Sequence, residues 1–212
     1  MAPVKIGGPA INGEGNGFIP GRYLKLGATI TSRGCPNRCR WCAVRAPLRE
    51  LKVYPGNNII DNNLLACSEG HLDKVFAMLQ GQHKIKFTGG LEARRITEKV
   101  AERLRGIKML QLYTAYDDTA NFKAVKKALE ILTKYFTRDK VGCYCLIGQP
   151  GDTIDAALGR LNQILELGAY PFAMLYKGAD GKCPEPEMAW RKLQKTWVRP
   201  AYIWARLKGR IA

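Results

Sequence analysis

The chain has 212 residues, 46% of them hydrophobic and 25% charged, with 22 Gly and 11 Pro; disorder, collagen-like repetition and a purely helical bundle are excluded. One domain, or a large domain with a small appendage, is expected at this length. The 34 Lys and Arg outnumber 18 Asp and Glu to leave +16, which favours acidic partners such as RNA, DNA, phosphates or a membrane surface.

Residues 1–23, beginning MAPVKIGGPAINGEG, are glycine-rich and weakly patterned, and read as an arm lying over the domain. They hold no apolar run of the signal-peptide kind, and no window reaches the 18 consecutive apolar residues of a membrane span. A cytoplasmic protein without membrane association is expected. In that reducing compartment, seven unevenly spaced cysteines point to metal or thiol chemistry over a disulfide framework.

The core, residues 24–180, alternates short apolar runs with helical periodicity. Strands are expected at 26–30, 57–61, 84–88, 108–114, 141–147 and 171–176, because these runs are mostly too short for helices and several end in Gly, Asp or Asn. Helical spacing places Leu72, Val75 and Leu79 on one face, then Ile96, Val100 and Leu104. Phe122, Val125, Leu129 and Leu132 form a third such face, and Ile154, Leu158, Leu161 and Leu165 a fourth. Asp118 or Thr119 is expected to cap the third helix and Asp152 or Thr153 the fourth, with Gly106 and Gly168 as C-terminal stops. The result is an α/β chain of about six parallel strands joined by right-handed crossovers, either an open sheet or a partial barrel.

In both architectures ligands gather beyond the carboxyl ends of the strands. Chemistry-bearing residues fall there: Cys35, Asp61-Asn62-Asn63, Gly89-Gly90-Leu91-Glu92, Asp117-Asp118 and Gly148-Gln149-Pro150-Gly151. Cys143 and Cys145 share one side of their strand, where they either meet substrate or pack as small hydrophobes. Cys67 and Cys183 are too dispersed to suggest a second cluster.

Residues 181–212 form a basic extension in which Trp190, Trp197 and Trp204 recur every seven residues among Arg191, Lys192, Lys195, Arg199, Arg206, Lys208 and Arg210. Pro200 divides it into two helical pieces. The tryptophans are expected to pack on the domain, with a Trp–Arg nucleic-acid surface as the alternative.

Cys35, Cys39 and Cys42 place three thiols within eight residues just past the first strand, a spacing that can wrap one compact metal centre. Thiolates are the usual ligands of a [4Fe–4S] cluster, and three of them leave one iron open. Zinc is the rival, although its usual two-residue gap is missing at the first interval. Arg33, Arg38, Arg40 and Arg45 surround the loop and suit a negatively charged cluster or ligand.

The CxxxCxxC pattern after the first strand of a βα repeat resembles the radical SAM superfamily, over residues 24 to about 180. The resemblance implies a partial (β/α)6 barrel, TIM-like, and a minimal enzyme that cleaves S-adenosylmethionine (SAM) reductively at a [4Fe–4S] cluster held by Cys35, Cys39 and Cys42. The 5′-deoxyadenosyl radical so formed would abstract hydrogen from a substrate. It further implies that Trp41 packs near adenine and that Gly89, Gly90 and Glu92 meet the SAM amino group. Asp117 would reach the ribose, and the Gly148–Thr153 segment, through Gly148 and Pro150, would support adenine. Arg94 and Arg95 would meet the methionyl carboxylate or an acidic substrate. An electron donor such as flavodoxin or ferredoxin is the implied partner. Net charges of +7 over residues 1–56 and +6 over 176–212 point to RNA, a nucleotide or another phosphorylated substrate. The alternative is a non-catalytic Fe–S or zinc module that binds nucleic acid.

Overall fold

The computed structural model describes residues 17–178 and 181–208. Most of the N-terminal arm and Arg210 lie outside the described residues. The strands are β1 (Ala28–Thr29), β2 (Ser32–Arg33), β3 (Arg49–Glu50), β4 (Asn58–Ile59), β5 (Ile85–Phe87), β6 (Met109–Ala115), β7 (Val141–Ile147) and β8 (Tyr170–Leu175). The helices are α1 (Glu69–Gln80), α2 (Glu98–Arg105), α3 (Phe122–Tyr135), α4 (Ile154–Glu166), α5 (Glu187–Trp197) and α6 (Pro200–Leu207). No helix among the described residues is long and apolar enough to cross a membrane.

Six strands form one parallel sheet in the order β1-β4-β5-β6-β7-β8, so the α/β class and the strand count agree with the periodicity. The order follows the chain and never reverses. Right-handed crossovers that all step the same way put their helices on one face of the sheet. Burial agrees: Val141, Cys143, Cys145 and Ile147 of β7 are fully buried in the cluster that holds Val125, Leu129 and Leu132 of α3 and Leu161 and Ile164 of α4. Each large apolar side chain removed from water there contributes about 1.5–3 kcal/mol.

On the other face of the sheet Tyr144 and Leu146 are half-buried. Tyr113 stacks on Tyr144 with ring centroids 4.3 Å apart, and Phe172 meets both edge-on. Gly142, next to Tyr113 in register, is obligatory there because a Cβ would overlap the Tyr113 ring.

Several local expectations change. The first crossover carries no helix; it carries β2 and β3, an antiparallel ribbon around residues 34–48 that periodicity did not foresee. Ile96 is buried but precedes α2, whose N-cap is Thr97. On α4 the fully buried apolar face is Ala157, Leu161 and Ile164, with Ile154, Leu158 and Leu165 packed at its margins. Thr153 caps α4, whereas Asp118 caps a short 3-10 turn before α3. Both glycines stand at helix ends as expected: Gly168 follows α4 with a left-handed φ of +81°, and Gly106 is the C-cap of α2, in the right-handed region at −72°.

Pro200 opens α6, dividing the extension as expected. Trp190 and Trp197 are 3% and 1% exposed and belong to the main core, while Trp204 is 41% exposed. Arg206 bonds Asn162 Oδ1 at 2.8 Å and lies over the Trp197 ring. The extension is thus docked through its aromatics, and an interleaved Trp–Arg surface for nucleic acid is not formed by Trp190 and Trp197.

Candidate functional site

The cysteine loop starts from a closed base. Ser32 pairs with Glu50 and Arg33 with Arg49, and Leu51 N–H donates to the Thr31 carbonyl at 2.8 Å. Gly34 then turns the chain at φ +78°, and Cys35 N–H donates to the Ala46 carbonyl at 3.1 Å. A Cβ on residue 34 would overlap the Pro47 carbonyl and sit 2.7 Å from the Ala46 oxygen, so only glycine fits.

Three consecutive side chains at the carboxyl end of β4 grip this base. Asp61 Oδ1 accepts from Thr31 N–H at 2.7 Å; its Oδ2 accepts from Thr31 Oγ1 at 2.6 Å and Ser32 Oγ at 2.7 Å. Burial raises the Asp61 pKa, opposed by the same hydrogen bonds. Asn62 Oδ1 accepts from Gly34 N–H at 3.0 Å. Asn63 Nδ2 lies 3.3 Å from Cys35 Sγ and 2.7 Å from Glu92 Oε2. All these contacts join residues about thirty positions apart, brought together by the parallel pairing of β4 with β1 and with β5.

Two of the three sulfurs face N–H donors. Asn37 N–H points at Cys35 Sγ and Val44 N–H at Cys42 Sγ, both at 3.4 Å, and Cys42 N–H donates to the Cys39 carbonyl. Arg45 Nη1 also bonds the Cys39 carbonyl at 3.2 Å. Burial raises the Cys39 thiol pKa, Arg94 pulls it down, and Cys42, Cys35 and Glu92 push it up; the three thiols and Glu92 thus share one electrostatic neighbourhood. Among the described residues, no three His, Cys, Asp or Glu side chains stand ready around a single ion. The donor set is nevertheless that of a soft metal group: three thiols on one loop, with N–H donors on two sulfurs and arginines alongside.

Glu92 is drawn in from the carboxyl end of β5. Burial would raise its pKa, but hydrogen bonds from Asn63 and Asn37, the charge of Arg94 and the bond from Arg95 outweigh it, so the carboxyl titrates below its ordinary value. Arg94 Nε and Arg95 Nε lie 2.8 and 2.9 Å from its oxygens. A carboxylate has about four acceptor directions, and four donors face this one. Glu92 therefore ties the rim together, and an incoming amino group must displace a donor.

Trp41 packs edge-on against Tyr176, just past β8, at 5.8 Å, with Arg40 stacked on it. The loop rooted at β1 thus reaches across the rim to the last strand of the sheet. Flat packing would separate those edge strands by roughly 24 Å.

The other sequence candidates have local duties. Gly89 is required by β4: a Cβ there would sit 2.5 Å from the Asp61 carbonyl oxygen. Gly90 has φ +84°, and a Cβ there would meet only the Tyr113 carbonyl oxygen, at 3.9 Å. Asp117 Oδ1 accepts from Leu146 N–H at 2.8 Å, with its pKa raised by burial. Gly148, at φ +75°, lies under Pro184 and Trp190, and its N–H donates to Asp152 Oδ2. Pro150 is exposed. Asp152 is held by Arg160 in a buried ion pair at 2.8 and 3.0 Å, a partner that sequence reading missed because α4 otherwise looks apolar on that side. Cys143 and Cys145 face the helix layer, fully buried. Burial pushes the Cys145 thiol up to about 12, so both stay protonated packing residues. Cys67 is buried, with its thiol raised by burial, and Cys183 is half-buried beside Arg191.

Comparison of the chain with models of known families and with curated proteins found no match.

Proposed function

We propose that this chain is a radical SAM enzyme whose loop thiols, Cys35, Cys39 and Cys42, hold a [4Fe–4S] cluster at the carboxyl rim of a partial (β/α)6 barrel. The observation that carries the reading is the loop itself: CxxxCxxC closed by a ribbon immediately after the first strand of a sequentially wound parallel sheet, with N–H donors on two sulfurs. Uniform winding supports the barrel reading, because helices gathered on one face leave the other to curl inward. The Trp41–Tyr176 contact across the rim supports it too. The cysteine loop replaces the helix of the first unit.

When bound, the cluster and SAM would supply one-electron cleavage of the sulfonium bond and a 5′-deoxyadenosyl radical that abstracts hydrogen from substrate. The chain's part is to hold and orient these groups. The three thiolates would anchor the cluster, and N–H groups of Asn37, Val44 and Asn63 would spread the charge of Cys35 and Cys42. Arg94 and Arg95 offset the negative charge gathered on one side. Trp41, held at the rim by Tyr176 and Arg40, would pack near adenine, and Gly90, without a side chain, would let a ligand approach the backbone. Asp117, pinned by Leu146 N–H through one oxygen, would reach the ribose hydroxyls. The arginines of the loop favour an anionic substrate such as a nucleotide or a phosphorylated molecule.

Anaerobic reconstitution with iron and sulfide, followed by dithionite and SAM, tests this. Broad [4Fe–4S] absorption and release of 5′-deoxyadenosine are expected, and both should vanish when Cys35, Cys39 or Cys42 is replaced by Ala. A fully loaded cluster that never cleaves SAM makes the chain a non-catalytic Fe–S module. Cluster absorption retained in the alanine variants refutes the ligand assignment.

A further inference from the structure

We propose that Asn63 is a positioning residue: its side-chain amide holds Cys35 Sγ against Glu92 and so sets both the affinity of the cysteine loop for its metal group and the reduction potential of that group. The proposal rests on the cluster reading above. Of the three residues that grip the base of the loop, Asp61 and Asn62 hold Thr31, Ser32 and Gly34; Asn63 alone of these reaches a cysteine sulfur.

Asn63 is 3% exposed, and its nitrogen has two hydrogens and two acceptors, Cys35 Sγ at 3.3 Å and Glu92 Oε2 at 2.7 Å. Its Oδ1 is buried without a partner. Turning the amide over would not repair this, because the oxygen would then face a sulfur and a carboxylate, both acceptors. The orientation is therefore dictated by the sulfur and by Glu92. A leucine or alanine here would leave Cys35 Sγ with the Asn37 N–H and Glu92 with one donor fewer.

An N–H bond to a ligating sulfur withdraws electron density and favours the reduced, more negative state of an iron–sulfur centre. Loss of a hydrogen-bond partner behind a metal ligand typically weakens binding 10–100-fold. Asn63 is well placed for both effects, and its link to Glu92 and hence Arg94 and Arg95 ties the cysteine loop to the end of β5.

The test compares the full chain with Asn63→Leu and with Asn63→Asp, which keeps the shape but removes the donor. Anaerobic titration with cobalt(II), read by the thiolate-to-metal charge-transfer band, should show about 10–100-fold weaker binding in both variants. After reconstitution, an EPR-monitored redox titration should show Asn63→Leu shifted about tenfold toward the oxidised cluster, equivalent to 59 mV for one electron. Circular dichroism reports the fold, and a residue that merely packed would leave the potential alone. Wild-type potential and cobalt affinity in a folded variant overturn this inference and leave the cluster reading standing. A wild-type chain that takes neither cobalt nor cluster overturns both. Unfolding of both variants makes Asn63 a folding residue and overturns its positioning role.

Discussion

Replacing Gly34 with alanine should unlatch the cysteine loop, and the cost can be worked from the geometry. Residue 34 sits at φ +78°, where an L-residue costs about 1–2 kcal/mol. The added methyl would overlap the Pro47 carbonyl and lie 2.7 Å from Ala46 O, against an ordinary carbon–oxygen contact of about 3.3 Å. The Ala46–Pro47 segment must retreat, at an overpacking cost of about 1–3 kcal/mol. That retreat breaks the 3.1 Å bond from Cys35 N–H to Ala46 O, worth about 1 kcal/mol. The total, about 3–6 kcal/mol, corresponds to a melting temperature lower by roughly 6–24 °C in a chain of this length. Thermal melts followed by circular dichroism read the stability, and anaerobic cobalt(II) titration reads the loop. Gly151→Ala is the control: its φ is +86° but nothing lies within 4 Å of the added carbon, so only the backbone cost applies. Gly34→Ala melting with the control and binding cobalt like wild type would refute the closed-base geometry.

Three further outcomes follow from the same structure. Arg160→Met strands the buried Asp152 carboxylate and should cost about 3–5 kcal/mol by urea unfolding; a loss under 1 kcal/mol would remove the ion pair from the account of the Gly148–Thr153 turn. Trp197→Ala should cost about 3–5 kcal/mol and Trp204→Ala under about 1 kcal/mol, and equal losses would contradict the docking of the extension. Because the folded-state pKa of Glu92 is depressed, its carboxylate contributes stability above the unfolded carboxylate pKa and loses it as pH falls through the folded value. Urea unfolding of Glu92→Gln from pH 3 to 7 should therefore show a flatter acid limb than wild type; parallel curves would count against the Asn63, Asn37 and arginine contacts.

The sequence by itself determined the elements whose signal is local. Periods of two and of 3.6 located the six sheet strands and the helices between them, and β7 matches its apolar run residue for residue. The three-cysteine motif and the rim segments after each strand were also legible, because a strand end and a Cys spacing are read within a few residues. The first two sheet strands, β1 and β4, shrank to two residues each, since an apolar run marks burial and not the length of a hydrogen-bonded ladder. The parity of Cys143 and Cys145 was readable, but which face they share was not; it depends on where α3 and α4 lie. Tertiary structure alone decided why the glycines are glycines: Gly34 against Pro47, Gly89 against Asp61, Gly142 against Tyr113. It also decided that Asp61, Asn62 and Asn63 hold Thr31 through Cys35, and that Glu92 is saturated with donors. The contacts of Asp61, Asn62 and Asn63 join residues about thirty apart in the chain, and only the parallel register of β1, β4 and β5 brings such residues within hydrogen-bond distance.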